Sequence, residues 1–334
     1  MKLTNTQILT LAKGYMEYAE TPALALQRFS KKQREIYSPG DKGYLSSNFT
    51  SSVRLDFYTD AEEMTLVMGG YRRKPLKYTA IDLLQDGVLT HRFHADFEPM
   101  EGAEAVPIDP IVCHAKLKTG EKRVTVYLPY LVVATIESME LSDGAAFRPA
   151  PNKSTWIAFG DSITNGTRAA CPSMTYVNHT ARLLDMDVHN FGIGGERFME
   201  SKIVPGTYPK CDLVTISYGT NDYRRYTREE FLKNMSVFLE KAVKEFQNVP
   251  IFVILPIWRQ TEADGISYDC GTLQSIRDAI RAEAKKYPSV TVLDAQSWVP
   301  QIPEFFADLV LHPNDAGFAH YTMHLVEALK KAGF

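Results

Sequence analysis

From residue 153 onward the sequence alternates between short apolar runs and longer amphipathic segments, and this rhythm constrains the fold more than any other feature. The apolar runs are TWIAFG, DVHNFG, DLVTISYG, PIFVILP and VTVLDA. Helical periodicity predicts helices over Ser173–Asp185, Thr227–Phe246, Leu273–Tyr287 and Asn314–Lys331. Nearly continuous apolar strands that alternate with helices are typical of a parallel sheet covered on both faces, so residues 151–334 predict one α/β domain.

The preceding part of the chain has a different pattern. Between about residues 44 and 147, segments such as VRLDFYT and RVTVYLPY alternate apolar and polar residues, and an Asp-Gly turn separates two of the short strands. This pattern predicts an antiparallel β-sandwich, jelly-roll-like, over residues 41–150. Residues 1–40 predict an N-terminal helical segment, and the stretch FRPAPNKS marks the boundary with the α/β domain.

The overall composition argues against several classes of protein. The 334 residues carry a net charge of −3, which gives no electrostatic reason to expect a nucleic-acid or membrane partner. No apolar run is long enough to span a bilayer. The first residues lack the apolar core of a secretory signal, so we expect a cytoplasmic protein, or a secreted one if a leader has been removed. The four cysteines lie far apart, which predicts reduced, buried thiols.

Three of the predicted strands end in clusters of glycine and polar residues: GDSITNG, NFGIGGE and SYGTND. In parallel sheets ligands bind at the carboxyl ends of the strands, so these clusters predict a site at one sheet edge. Ser162 follows a strand and a glycine, a position that exposes its hydroxyl for nucleophilic attack. A plain strand-to-helix turn capped by Asp161 or Ser162 is the alternative interpretation.

The second and third clusters offer the donors that a developing oxyanion needs. In the second, glycines up to Gly195 allow backbone N–H groups to approach a ligand closely, although a tight turn needs the same residues. In the third, the Asn221 side chain carries an N–H donor that Asp222 can brace, although an Asx turn also uses such a pair.

A fourth cluster, FFADLVLHPNDAGFAHY, follows the last predicted strand. His312 lies just before a helix that Asn314 can cap, and Asp308 is close to it in sequence. A histidine in such a position supplies a general base, and a nearby carboxylate orients it.

Together the four clusters resemble the four-block signature of the SGNH, or GDSL-type, hydrolase superfamily over about residues 153–334. The resemblance implies a flavodoxin-like parallel sheet flanked by helices. By position, Ser162 resembles the family's nucleophile and His312 its base. The oxyanion donors implied are the Ser162 amide, Gly195 and Asn221. Thr164 stands where the Gly-x-Ser-x-Gly elbow of α/β-hydrolases needs its second glycine, which argues against that fold.

One position departs from the family pattern. Members commonly carry the acid three residues before the histidine, but Leu309 occupies that place and Asp308 lies four residues before His312. We predict that Asp308 orients His312 through an irregular turn of residues 309–311. Asp315 or a backbone carbonyl is the alternative orienting group.

The predicted sandwich is similar to the N-terminal β-domain of some SGNH carbohydrate esterases, whose substrates are acetylated sugars. We therefore expect a serine esterase that acts on a small-molecule or oligosaccharide ester, with acetyl groups on a carbohydrate as the leading substrate. Asp161, Trp258 and Tyr223 are the predicted substrate-binding residues. Core packing is the alternative role for the two aromatic rings and for Trp298. A lipase, a thioesterase or a non-catalytic carbohydrate-binding protein is the alternative function, and the sequence does not indicate an oligomeric state.

The sequence contains incomplete motifs for two other kinds of site, a metal site and a phosphate-binding loop. His320 and His324 have the spacing of metal ligands on a helix, but no glutamate completes a zinc-protease motif. The glycines of NFGIGGE lack the Gly-x-Gly-x-x-Gly spacing and the Lys-Ser/Thr pair of phosphate-binding loops. We therefore expect neither a metal nor a cofactor.

Overall fold

The computed structural model describes residues 1–37, 42–102 and 104–334, which form two compact units. One unit comprises Met1–Asn152 and Cys171–Ser173, and the other comprises Lys153–Ala170 and Met174–Phe334. The sequence places the boundary slightly earlier, between residues 150 and 151.

Two antiparallel sheets make up the first unit. The strands are β1 (Ala12–Lys13), β2 (Glu17–Ala19), β3 (Leu24–Gln27), β4 (Arg54–Thr59), β5 (Glu63–Arg73), β6 (Tyr78–Gln85), β7 (Val88–Asp96), β8 (Ala105–Lys116), β9 (Lys122–Tyr127), β10 (Val132–Leu141) and β11 (Phe147–Pro149). One sheet has the order β1-β4-β9-β6-β7 with β11 beside β4, and the other has the order β2-β3-β10-β5-β8. The pairs in both sheets are antiparallel, as the alternating pattern predicts.

One hydrophobic core joins the two sheets of this unit into a sandwich. Leu55 and Val124 enter it from one sheet and Leu66 from the other, and each is fully buried. The predicted Asp-Gly turn joins β6 to β7, with positive φ at both Asp86 (46°) and Gly87 (81°). Positive φ at both central residues is what a tight two-residue hairpin requires, because it matches the twist of the strands.

The predicted N-terminal helical segment of residues 1–40 is wrong as an independent element. Helices α1 (Asn5–Leu11) and α2 (Lys31–Arg34) do form, followed by α3 (Lys42–Ser46). However, β1 pairs with β4 and β3 pairs with β10, so residues 1–37 extend both sheets of the first unit. These strands are two to four residues long and owe their conformation to distant partners, so a local pattern does not reveal them. Residues 38–41 lie outside the described residues.

The second unit contains the predicted parallel sheet. Its strands are β12 (Ser154–Gly160), β13 (Met186–Gly192), β14 (Leu213–Ser217), β15 (Ile251–Ile254) and β16 (Val290–Leu293), in the order β13-β12-β14-β15-β16. All neighbouring strands of this sheet are parallel. The helices are α4 (Ser162–Asn165), α5 (Tyr176–Leu183), α6 (Asp222–Arg225), α7 (Arg228–Glu245), α8 (Gln260–Ala263), α9 (Leu273–Ala284) and α10 (Asp315–Lys331). This strand order is flavodoxin-like, and it places a site at the carboxyl ends of the central strands.

The register of the sheet brings the polar clusters together. Gly160, the last residue of β12, pairs with Gly192 at the end of β13 and with Ser217 at the end of β14. The three segments that follow these strands therefore start at one level of the same sheet edge.

All four cysteines are free and buried. No helix in the described part of the chain is long and apolar enough to cross a membrane.

Candidate active site

Ser162 lies in a sharp turn between a central strand and a short helix. A Cβ atom at Gly160 would lie 1.9 Å from Thr164 Oγ1, so only glycine allows β12 to end this close to α4. Asp161 caps α4, because its Oδ1 accepts a hydrogen bond of 2.9 Å from the Ile163 amide. The turn thus holds Ser162 as the first residue of α4, at the carboxyl edge of the sheet.

The structure brings Ser162, His312 and Asp308 into one hydrogen-bonded chain. Ser162 Oγ lies 2.8 Å from His312 Nε2, and His312 Nδ1 lies 2.6 Å from Asp308 Oδ2. Burial opposes ionisation of Asp308, but hydrogen bonds from the imidazole and from the Leu311 and His312 amides outweigh it and lower the pKa of Asp308. An ionised Asp308 at neutral pH stabilises a proton on Nδ1 and leaves Nε2 to accept the serine proton.

A loop of residues 307–312 makes the four-residue spacing possible. The Ala307 amide donates to the His312 carbonyl at 2.8 Å and closes the loop, and Leu309 adopts a positive φ of 58°. Asp308 Oδ1 accepts hydrogen bonds of 2.8–3.1 Å from the backbone amides of Val310, Leu311 and His312. This is the irregular turn that the spacing predicts. The same carboxylate organises the loop and holds the imidazole.

Asp315, the alternative orienting acid, has another partner. It lies in the first turn of α10, where Asn314 is the N-cap, and its Oδ1 accepts from the Ala170 amide at 2.8 Å. An acid in the first turn is also favourable for the helix dipole. Asp308, and not Asp315, is therefore the carboxylate that contacts the imidazole of His312.

The second polar cluster lies beside Ser162, and the third cluster is hydrogen-bonded to the second. A Cβ atom at Gly194 would lie 4.0 Å from the Ser162 Cβ, so the second polar cluster lies next to Ser162. Gly195 has a φ of 84°, which favours glycine. Asn221 Nδ2 donates to the Glu196 carbonyl at 3.1 Å and thereby ties the third cluster to the second.

Two buried polar residues brace these clusters. Both oxygens of Asp222 accept backbone N–H bonds of 3.0 Å, from Phe198 and Gly219, and burial raises the pKa of Asp222 to about 7. Asn190, which the sequence analysis did not single out, accepts from the Gly192 amide and donates to the Thr164 carbonyl, both at 2.8 Å. Its place at a strand end was the signal available in the sequence.

The buried residue Arg259 was also missed by the sequence analysis. Its Nη1 donates to the carbonyl and the hydroxyl of Thr220, next to Asn221, at 3.1 and 3.2 Å. Burial raises the pKa of Asp161 to about 6, against the lowering effect of the Ile163 amide, His312 and Arg259. A charged residue directly after the apolar run ILPIW was the signal for Arg259.

The structure does not place the three predicted substrate-binding side chains at an open surface. Trp258 is 5% exposed and packs on Phe306, with ring centroids 5.3 Å apart. Tyr223 is fully buried and its hydroxyl donates to the Ile266 carbonyl. Asp161 is buried as the cap of α4. The core-packing alternative thus describes both rings, because the protein interior already occupies their faces.

The histidine pair on α10 does not converge on a metal site. His320 packs edge-on against Phe305, and the ring of His324 stacks on Trp298 at 6.1 Å. In the residues that the structure describes, no group of three or more His, Cys, Asp or Glu side chains is arranged to hold a metal ion.

Comparison with known proteins supports the resemblance drawn from the four clusters. Residues 158–320 match the model of the GDSL-like lipase/acylhydrolase family, and this segment contains Ser162, Gly195, Asn221 and His312. No curated protein gives a significant sequence match to the chain.

Several solved structures share the fold at low sequence identity. The salicylyl-acyltransferase SsfX3 from a tetracycline biosynthetic pathway has 20% identity and a TM-score of 0.80, over 100% of this chain and 97% of that one. An acetyl xylan esterase from the rumen bacterium Butyrivibrio proteoclasticus has 14% identity and a TM-score of 0.64, over 100% and 98%. A family two carbohydrate esterase from Cellvibrio japonicus has 14% identity and a TM-score of 0.63, over 99% and 97%. These likenesses show the fold of the chain, not its substrate.

Proposed function

Because residues 158–320 match the model of the GDSL-like lipase/acylhydrolase family, we propose that this protein is an esterase that hydrolyses short-chain esters through an acyl-enzyme on Ser162. The observation that carries the proposal is the continuous chain of hydrogen bonds from Ser162 through His312 to Asp308. A serine hydroxyl becomes an effective nucleophile when a positioned base takes its proton. His312 Nε2 is that base, and Asp308 stabilises the imidazolium that forms.

The proposed reaction has two halves. In the first, Ser162 Oγ attacks the ester carbonyl, His312 takes the serine proton and then gives it to the leaving alcohol. In the second, His312 takes a proton from water as the water oxygen attacks the acyl carbonyl, and it then returns that proton to Ser162 Oγ as the acid leaves. In both halves a tetrahedral oxyanion forms and needs donors that are already in place.

Asn221 is suited to this role because its amide nitrogen carries two hydrogens. One is held by the Glu196 carbonyl at 3.1 Å, which fixes the orientation of the side chain. The second has no acceptor among the described residues and is left for the substrate oxyanion. The backbone N–H groups of Ser162 and Gly195 complete the proposed set of donors.

We assign an acetyl group on a carbohydrate as the substrate class. Two of the structures that share the fold are named as an acetyl xylan esterase and a family two carbohydrate esterase, which supports this choice.

A substrate series tests this assignment. p-Nitrophenyl esters from acetate to octanoate, together with acetylated xylan and acetylated monosaccharides, are compared by kcat/KM, with Ser162→Ala as the control for non-enzymatic hydrolysis. We expect a steep fall from acetyl to octanoyl esters and acetate release from at least one acetylated sugar. A preference for octanoyl or longer esters would contradict the carbohydrate assignment and favour a lipase or thioesterase.

A further inference from the structure

Arg225 places an exposed guanidinium beside the proposed oxyanion site. It is the last residue of α6, and a Cβ atom at Gly195 would lie 3.5 Å from its Nη1 and 3.7 Å from its Nη2. The adjacent Gly194 is the residue whose Cβ would lie 4.0 Å from the Ser162 Cβ. The cation therefore lies along the short loop that borders the nucleophile.

The positive charge of Arg225 has no counterpart among the described residues. Three acids of the candidate site have other partners: Asp308 is paired with His312, Glu196 with Lys202 at 3.0 Å, and Asp222 with two backbone amides. No ion pair or hydrogen bond involves Arg225 in the described part of the chain. An unpaired guanidinium presents a planar fork of donors that matches a carboxylate.

Two neighbouring arginines differ from Arg225, because their guanidinium groups pack against aromatic rings. Arg224, the preceding residue, lies over the ring of Tyr268 at 5.7 Å, and Arg197 lies over the ring of Tyr226 at 4.4 Å. Both contacts hold the guanidinium against the protein surface. Arg225 makes no such ring contact among the described residues, so its guanidinium is left for an external anion.

We propose that Arg225 binds a carboxylate on the alcohol part of the ester, so that the preferred substrate is an acetylated uronic acid rather than an acetylated neutral sugar. The inference rests on the proposed esterase function and narrows its substrate class. The carboxylate pairs with the guanidinium while the acetyl carbonyl lies at Ser162 and Gly195. This ion pair holds the sugar beside the nucleophile and lowers KM more than it raises kcat.

A matched pair of substrates tests the inference. Acetate release is measured from the methyl glycosides of O-acetyl glucuronic acid and O-acetyl glucuronamide, which differ in the charge of one group. We expect wild-type kcat/KM to favour the acid by about ten- to hundredfold, as for a hydrogen bond to a charged group, and the preference to shrink in high salt. In Arg225→Gln the ratio should fall to near one, mainly through KM, whereas Arg224→Gln should keep the wild-type ratio.

The controls separate failure of this inference from failure of the esterase function. An enzyme that hydrolyses p-nitrophenyl acetate through Ser162 but has an acid-to-amide ratio near one would overturn the role of Arg225 alone. A preference that persists in Arg225→Gln would overturn it as well. An enzyme that hydrolyses none of these esters would overturn both proposals.

Discussion

Ser162 lies where a regular parallel strand meets a helix, whereas His312 lies at the end of a loop that its own backbone closes. Ser162 is placed by the register of β12 with its neighbours and by Gly160, which lets the chain turn. His312 is placed by Asp308, which accepts hydrogen bonds from three backbone amides through one oxygen and contacts the imidazole through the other.

This difference shows which part of the site depends on a single side chain. Many backbone hydrogen bonds of the sheet define the position of Ser162. Its position therefore does not depend on one side chain elsewhere in the protein. The orientation of His312 depends on one carboxylate, because residues 307–312 form neither strand nor regular helix. Substitutions in the two regions should therefore have different consequences.

The largest effect is expected from removing either reacting side chain. Ser162→Ala or His312→Ala should lower kcat by about 10⁴–10⁶-fold, and the double variant should be no worse than either single one, since the residues act as a unit. The measurement is p-nitrophenyl acetate turnover, with circular dichroism to confirm folding. Near-normal turnover in either single variant would contradict the assignment.

Asp308→Asn tests the loop region directly and should lower kcat by about 10²–10⁴-fold. The Asn oxygen can still accept the loop amides, but the Asn nitrogen donates to Nδ1, so the imidazole proton moves to Nε2 and faces Ser162. Asp315→Asn is the matched control and should change kcat little, because an amide oxygen can still accept from Ala170. Equal turnover in the wild type and Asp308→Asn would leave a Ser–His dyad as the better description.

Asn221→Ala should have a smaller effect, on the order of 10²–10³-fold in kcat, which is typical of losing one oxyanion donor. KM should change little, since the interaction strengthens only as the oxyanion forms. Steady-state kinetics with p-nitrophenyl acetate separates the two parameters. A loss confined to KM would make Asn221 a substrate-binding residue.

The smallest effect concerns stability rather than rate. Since burial raises the pKa of Asp222 to about 7 from its ordinary 3.8, the folded protein holds a proton that the unfolded chain loses between these values. The stability that Asp222 contributes should therefore decrease as pH rises across this window and stay constant above it. Urea unfolding of the wild type and Asp222→Asn at pH 5, 6, 7 and 8 measures the difference. We expect the unfolding free energy of the wild type minus that of Asp222→Asn to fall as pH rises. An increase of this difference with pH would contradict this account.

Most of the second unit was predictable from the sequence, because its apolar strands alternate with helices that have a clear amphipathic periodicity. The helix predicted from Asn314 is α10, and the Asn314 side chain caps it by accepting from the Gly317 amide. The spacing of Asp308 and His312 predicted the irregular loop. In each case the signal lies within a few residues of the feature it predicts.

What the sequence did not reveal depends on distant contacts. Strands β1–β3 are short and form because β4 and β10 offer them hydrogen bonds from far along the chain. Trp258 and Tyr223 follow strand ends, as substrate-stacking rings do. However, Trp258 packs against Phe306, and the Tyr223 hydroxyl donates to the Ile266 carbonyl, so both rings are buried by residues distant in sequence. Likewise, the free charge of Arg225 is visible only once the partners of every nearby acid are known.

The central claim is that Ser162, activated by His312 and Asp308, is the nucleophile, and a stoichiometric label tests it most directly. Diethyl p-nitrophenyl phosphate phosphorylates an activated serine and releases p-nitrophenol, which is counted by absorbance. We expect one p-nitrophenol per chain from the wild type, much slower release from Asp308→Asn and none from Ser162→Ala. Release from Ser162→Ala at the wild-type rate, or a label on another residue by peptide mass analysis, would contradict the claim.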